Sequence, residues 1–146
     1  MPVLKERFAN GEILNFFALS RLVNPVSIEL YSLRGGFDGF WLDLEHGQAT
    51  VDQIRAAFVT ARAVGLHQFV RMAPTGYHEV AQYLELGAAG VMAAQIDSAA
   101  QAAEFASWAK FPPQGVRGMN MSGVDGQFTT RSAADFYENA NQEVFV

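Results

Sequence analysis

Four short apolar segments alternate with four amphipathic ones along this 146-residue sequence, and that rhythm predicts an α/β fold with a parallel sheet and right-handed crossovers. Three of the amphipathic segments open on a capping residue and three close on glycine, the punctuation of helices. Half of the residues are hydrophobic and 17% are charged. That balance supports a buried core in a single domain over residues 1–146.

Ile13 to Leu22 is mostly apolar and aromatic and reads as the first strand. Asn24-Pro25 then supplies an N-cap followed by proline at the first helical position, starting a helix that runs through Glu29 and Leu33 to Gly35-Gly36. Phe40 to His46 is the second strand. Thr50 caps the next helix with Gln53 as its capping-box partner, and Val51, Ile54, Phe58 and Val64, helped by Ala57 and Ala61, line one face before Gly65. His67 to Met72 is the third strand, after which Tyr77, Val80, Ala81 and Leu84 recur at helical spacing up to Gly87. Gly90 to Ile96 is the fourth strand; Ser98 with Gln101 opens a helix that buries Ala102, Phe105 and Ala109. Phe111 to Thr130 is a Gly-, Pro-, Ser- and Asn-rich connection too long for an ordinary loop. Ser132 to Asn141 reads as a short helix and Glu143 to Val146 as the start of a fifth strand. Val144-Phe145-Val146 stops in mid-strand, so the sequence is expected to be a fragment: four βα units and a fifth strand make up about half of an eight-stranded barrel.

A net charge of −5 with ten scattered Lys and Arg argues against nucleic-acid binding, since no basic patch exists to meet a phosphate backbone. Absence of cysteine removes disulfides, thiolate metal sites and cysteine nucleophiles, and suits a reducing compartment, with the cytoplasm as the expectation. Charges at Lys5, Glu6 and Arg7 interrupt any signal peptide, and no apolar run is long enough for a membrane span. The three histidines lack metal-ligand spacing, and neither Gly35-Gly36 nor Gly87-Ala88-Ala89-Gly90 has the geometry of a phosphate loop.

Chemistry concentrates at the end of the second strand. In Phe40-Trp41-Leu42-Asp43-Leu44-Glu45-His46-Gly47, strand alternation puts Asp43 and Glu45 on one face and Leu42 and Leu44 on the other, with His46 as the acid/base candidate just before a turn. Arg71 ends the third strand one unit later; a guanidinium there must be paired or hold an anion, because it cannot shed its charge. Glu85, in Leu84-Glu85-Leu86-Gly87, reads from pattern as a solvated helix residue, and His67 and His78 as structural or exposed. Arg117 either binds a ligand or closes a rigid turn; the pattern leaves both open.

Taken with their order, Gly36-Phe37-Asp38-Gly39-Phe40-Trp41-Leu42-Asp43-Leu44-Glu45-His46-Gly47, Val70-Arg71, Leu86-Gly87-Ala88-Ala89-Gly90-Val91-Met92 and Phe111-Pro112-Pro113-Gln114-Gly115-Val116-Arg117-Gly118 resemble the HpcH/HpaI aldolases, metal-dependent (class II) pyruvate aldolases. The resemblance implies a TIM (β/α)8 barrel of the phosphoenolpyruvate/pyruvate type, a symmetric homo-oligomer, and retro-aldol cleavage of 4-hydroxy-2-oxo acids to pyruvate and an aldehyde. It implies His46 as acid/base, Arg71 as stabiliser of the enolate, and Glu85, in place of the family's aspartate, as the carboxylate that orients the histidine. The implied cofactor is a divalent ion (Mg, Mn or Co) whose direct ligands have no counterpart here and are expected beyond Val146, with Asp43 and Glu45 holding metal-bound water. Ala93-Ala94-Gln95 stands where the family commonly carries a proline. Two other readings are a non-catalytic half-barrel that self-associates through its open edge, and a related lyase of acyl-CoA esters, for which no basic cluster is present.

Overall fold

A computed structural model describes residues 4–73 and 75–146. Four strands, β1 (Phe16–Leu19), β2 (Gly39–Asp43), β3 (His67–Met72) and β4 (Gly90–Ala93), form one parallel sheet in the order β1-β2-β3-β4. Between them run α2 (Pro25–Arg34), α3 (Val51–Ala63) and α4 (Tyr77–Glu85); α5 (Ala99–Ala109) and α6 (Ala133–Glu143) follow, and α1 (Leu4–Ala9) precedes the sheet. Strand order that never reverses, joined by right-handed crossovers, puts the connecting helices on one face of the sheet.

The helices start where the sequence marks them. Asn24 Oδ1 accepts from the Ser27 amide at 3.0 Å with Pro25 in the first turn. Thr50 and Gln53 close a reciprocal capping box, with Thr50 N donating to Gln53 Oε1 at 2.8 Å and Gln53 N to Thr50 Oγ1 at 3.3 Å. Ser98 caps α5 through the Gln101 amide at 3.2 Å.

Alternation along β3 sends Gln68, Val70 and Met72 to the helical side, where they are buried, and His67, Phe69 and Arg71 to the other. On the helical side Phe40, Leu42 and Val70 meet Ile54, Phe58, Val80 and Leu84, each at most 2% exposed. Burial of side chains of this size contributes roughly 1.5–3 kcal/mol apiece. Of the residues expected on the buried helix faces, Val51, Tyr77 and Ala102 lie outward instead. The opposite sheet face is aromatic and less covered: Phe16 packs edge-on against Phe69 at 4.9 Å, and Phe69 lies 5.5 Å from Phe145. Gly39 and Gly90 sit under these rings, where added methyls would collide with them.

Several boundaries differ from the sequence reading. β1 is only Phe16–Leu19, and β2 ends at Asp43, because the Glu45 and His46 amides turn back to the Asp43 carboxylate at 3.1 and 3.2 Å instead of continuing a ladder. β4 ends at Ala93, ahead of Gln95 with its positive φ of 55°. Glu143 belongs to α6 rather than to a fifth strand; beyond it, Phe145 alone bridges in parallel to Gly90. α1 was not legible in the sequence. It is held by buried Leu4, by ion pairs of Arg7 with Glu12 and Asp38 at 2.8 and 2.7 Å, and by Phe8 and Lys5 against the Phe145 ring at 6.1 and 5.2 Å. The long connection is itself folded: Phe111 packs with Phe136 and Ala140, and Asn141 pairs with the Phe111 backbone at 2.7 and 3.1 Å.

A methyl at Gly39 would overlap the His67 carbonyl and come within 2.6 Å of the Phe16 ring. Gly39→Ala is therefore expected to lower stability by about 2–3 kcal/mol, read as a fall in the urea midpoint at unchanged m-value. Gly36→Ala, where φ is positive but nothing lies within 4 Å of the new methyl, should cost only about 1 kcal/mol; equal effects would contradict the packing described.

Candidate functional site

The carboxyl ends of β2, β3 and β4 bring together five polar side chains. Asp43 and Arg71 are partners in the β2–β3 register. The guanidinium grips the carboxylate at two points, Nε donating to Oδ1 at 3.1 Å and Nη2 to Oδ2 at 2.7 Å. Such a fork fixes orientation as well as charge. Asp43 is 6% exposed, and its carboxyl is held below the ordinary range, chiefly by Arg71, with the His46 and Glu45 amides acting in the same direction against burial. Arg71 is raised by the same bond, and its guanidinium carbon lies 4.9 Å from the centre of the Trp41 ring. The described contacts engage Nε and Nη2, and Nη1 has no protein partner among the described residues.

Glu45 lies just past the strand end. Its Oε2 is 3.5 Å from Arg71 Nε and 3.6 Å from His46 Nε2, while Oε1 accepts from the Gln95 side chain at 3.0 Å. The two carboxylates thus meet around one guanidinium. Both reach it from one side of the chain, while Leu42 and Leu44 pack toward the core. His46 is the open member of the group, its side chain 70% exposed. Gly47 lets this turn form: a Cβ there would overlap the Asp43 carbonyl and come within 2.8 Å of the Ser20 carbonyl at the end of β1.

Glu85 is not brought to His46 within this chain. It is the last residue of α4, and a helix linking two parallel strands returns the chain to the end of the sheet where the next strand begins. There its Oε2 accepts from Asn120 at 2.8 Å and its carbonyl from the Val124 amide at 2.8 Å, tying α4 to the long connection. Arg117 closes that connection from inside: 4% exposed, it pairs with Asp125 and stacks on Phe111 at 4.6 Å. His67 is half-buried, its pKa pushed down first by burial, and His78 is exposed. Sequence reasoning missed Trp41 and Gln95 as members of the site. The register that seats Trp41 beneath Arg71 was readable in principle from the shared strand face; the Gln95 contact, across fifty residues, carried no local signal.

The donor set does not by itself fit a divalent ion. No group of three or more potential ligands occurs among the described residues. The Asp43 oxygens serve Arg71 and two amides, and those of Glu45 serve Gln95, Arg71 and His46. The reading of these carboxylates as holders of metal-bound water rests on the resemblance alone. No described helix is long and apolar enough to cross a membrane.

The solved HpcH/HpaI aldolase from Desulfitobacterium hafniense superposes with a TM-score of 0.89 at 30% identity, over 97% of this chain and 54% of that one. Among curated proteins, the 4-hydroxy-4-methyl-2-oxoglutarate aldolase tasA of Hapsidospora irregularis is 30% identical over 80% of this chain and 43% of its own length. The 5-keto-4-deoxy-D-glucarate aldolase of Klebsiella pneumoniae is 26% identical over 86% and 48%. The chain spans less than half the length of these two curated relatives. The family description "HpcH/HpaI aldolase/citrate lyase" matches residues 20–146, a stretch that holds all five side chains of the cluster, and the chain belongs to that family of aldolases and lyases.

Proposed function

We propose that the protein is a carbon–carbon lyase that cleaves 4-hydroxy-2-oxo acids to pyruvate and an aldehyde. The observation that carries this reading is the guanidinium of Arg71, gripped on one edge by Asp43 and unpartnered at Nη1 among the described residues, with an accessible imidazole two contacts away through Glu45. In the reaction, His46 takes the proton of the C4 hydroxyl, the C3–C4 bond breaks, and its electron pair moves toward C2, so that the 2-oxo oxygen becomes an enolate oxygen. Charge grows on that oxygen as the bond stretches, and a guanidinium already fixed in place stabilises the transition state more than the neutral ketone. Protonation of C3 then gives pyruvate. Glu45 stands between the imidazole and the guanidinium, within 3.6 and 3.5 Å of them.

The chain is further proposed to be about half of an eight-stranded barrel. In support, the sheet is singly wound, and its second face carries the partly covered Phe16, Trp41 and Phe69 and the exposed Met92. A divalent ion, which in such lyases supplies Lewis-acid stabilisation of the enolate, would need carboxylates from outside the described residues. A symmetric assembly is part of the same proposal, and the free edge of β1 favours association of some kind.

Pyruvate release from 4-hydroxy-2-oxo acids, assayed with added magnesium, manganese or cobalt, is expected to be absent for residues 1–146 alone and present for a chain extended past Val146 to the length of the relatives. Metal-free activity of the shorter chain would refute the proposal. In the active protein, Arg71→Lys keeps the charge but loses the fork, and kcat should fall about 10²- to 10³-fold.

The Asp43–Arg71 pair also sets an acid limit. A carboxyl depressed in the folded state stabilises fully above its unfolded pKa, about 3.9, and that contribution is lost as pH falls through the lower native value. Urea midpoints measured from pH 6 downward should therefore drop below about pH 4, and Asp43→Asn should start lower at pH 6 and flatten that drop. An unaltered slope in the variant would show that Asp43 is not the group responsible.

A further inference from the structure

At the amino-terminal end of the sheet, opposite the Asp43–Arg71 pair, lies a cavity of about 350 Å³ that the proposed chemistry leaves unused. It meets the sheet where His67 opens β3 and where Gly87 to Ala89 lead into β4. Its apolar walls come from elements distant along the chain: Leu4 of α1, Leu84 of α4, Val124 of the long connection, Phe136 and Ala140 of α6, and Val144 just past it. The charged part of the lining is Arg117, Asp125, Arg131 and Glu143.

Donors in this lining outnumber the acceptors that meet them. The Arg117 side chain is 3% exposed; Nη2 is taken by Asp125, the guanidinium stacks on Phe111 at 4.6 Å, and Nε is buried without a partner among the described residues. Both Asp125 oxygens are engaged, Oδ2 by Arg117 and Oδ1 by the Gly126 amide at 2.9 Å. Burial raises the Asp125 carboxyl above its ordinary value against the pull of Arg117, the mark of a wall that water reaches poorly. Arg131, its side chain 18% exposed, finds Glu143 Oε1 only at 3.8 Å, too far for a hydrogen bond. A buried guanidinium N–H without an acceptor is costly. The pair with Asp125 lets Arg117 close its turn, and the free Nε is what remains for a ligand.

We propose that this cavity is a second binding site, which takes a short-chain monocarboxylate with an apolar body: the carboxylate accepts from Arg117 Nε and from the Arg131 guanidinium, and the hydrocarbon lies against Leu4, Leu84 and Val144. The walls select both halves of such a molecule. A neutral apolar ligand leaves the guanidinium donors unmet, and a small polyanion such as phosphate brings more charge than two arginines already facing Asp125 and Glu143 balance, while leaving the apolar walls wet. The site does not depend on the lyase reading. β3 begins at this cavity and carries Arg71 near its other end, so the two sites share a strand. An occupant here touches α1, the long connection and α6 together, and binding therefore stabilises the folded chain by mass action.

The test titrates residues 1–146 with hexanoate, with hexanamide as its neutral counterpart, acetate as the head group without the body and inorganic phosphate as a separate arm, followed by amide, methyl and arginine-side-chain NMR. Hexanoate should shift Arg117 Nε–H, the Gly87 amide and the Leu4 and Val144 methyls saturably, raise the urea midpoint, and leave Arg71 Nε–H in place. Hexanamide, acetate and phosphate should each bind more weakly by about tenfold or more. Because Arg117 also holds the long connection, the substitution is made at Arg131, whose described contacts are the 3.8 Å approach to Glu143 and the Phe136 ring at 6.0 Å. Arg131→Gln should weaken hexanoate about tenfold while the ligand-free spectrum is otherwise retained, and Arg131→Lys should restore part of the loss. Absence of saturable shifts at the cavity residues, or shifts at Arg71 in place of Arg117, overturns the site. Hexanamide, acetate or phosphate binding as tightly as hexanoate, or undiminished binding by Arg131→Gln, overturns the choice of ligand.

Discussion

Asp43 and Arg71 stand opposite each other where two parallel strands end, and most of the site's geometry follows from their pairing. Arg71 cannot lose its charge, so its position at the end of β3 is tolerable only with a carboxylate in register on β2 and an aromatic ring beneath it. The same carboxylate accepts the Glu45 and His46 amides, which ends the strand and directs the next residues outward. One side chain thus neutralises the arginine, stops the ladder and aims the imidazole. Removing Arg71 would leave the Asp43 carboxylate, 7% exposed, as a desolvated charge without its partner, which costs more than the pair is worth when intact.

Much of this arrangement was legible from residues alone. Alternation of element type predicted the parallel sheet, and the caps at Asn24, Thr50 and Ser98 are made by the groups expected, because capping depends on residues three apart and little else. The need of Arg71 for an anionic partner followed from desolvation, and register supplied the partner. Helix faces were read less well at their ends: Val51, Tyr77 and Ala102 continue the apolar period past the point where the sheet still covers the helix.

What escaped the sequence depends on contacts remote along the chain. Strand alternation extended β2 to His46, whereas a local side-chain-to-backbone turn competes with the ladder and wins at Asp43. Glu85 shows the limit of motif reasoning on one chain: its neighbours match a pattern, yet the crossover carries it to the opposite end of the sheet, where it binds Asn120. Gln95 reaches Glu45 from a residue in the left-handed region, a conformation that no local preference of glutamine announces.

The short first helix has a consequence for how the domain is made. Its anchors divide between Asp38, reached early, and Phe145, nearly the whole chain away. A chain emerging amino end first can complete the Arg7 pairs as soon as β2 exists, but Phe8 and Lys5 must wait for Phe145 before their aromatic contact is available. Closing so long a loop adds little to the entropic cost once the sheet already holds the intervening segments in place. The contact therefore forms after the four strands of the sheet rather than before them, and α1 behaves as a latch fastened over a sheet assembled without it.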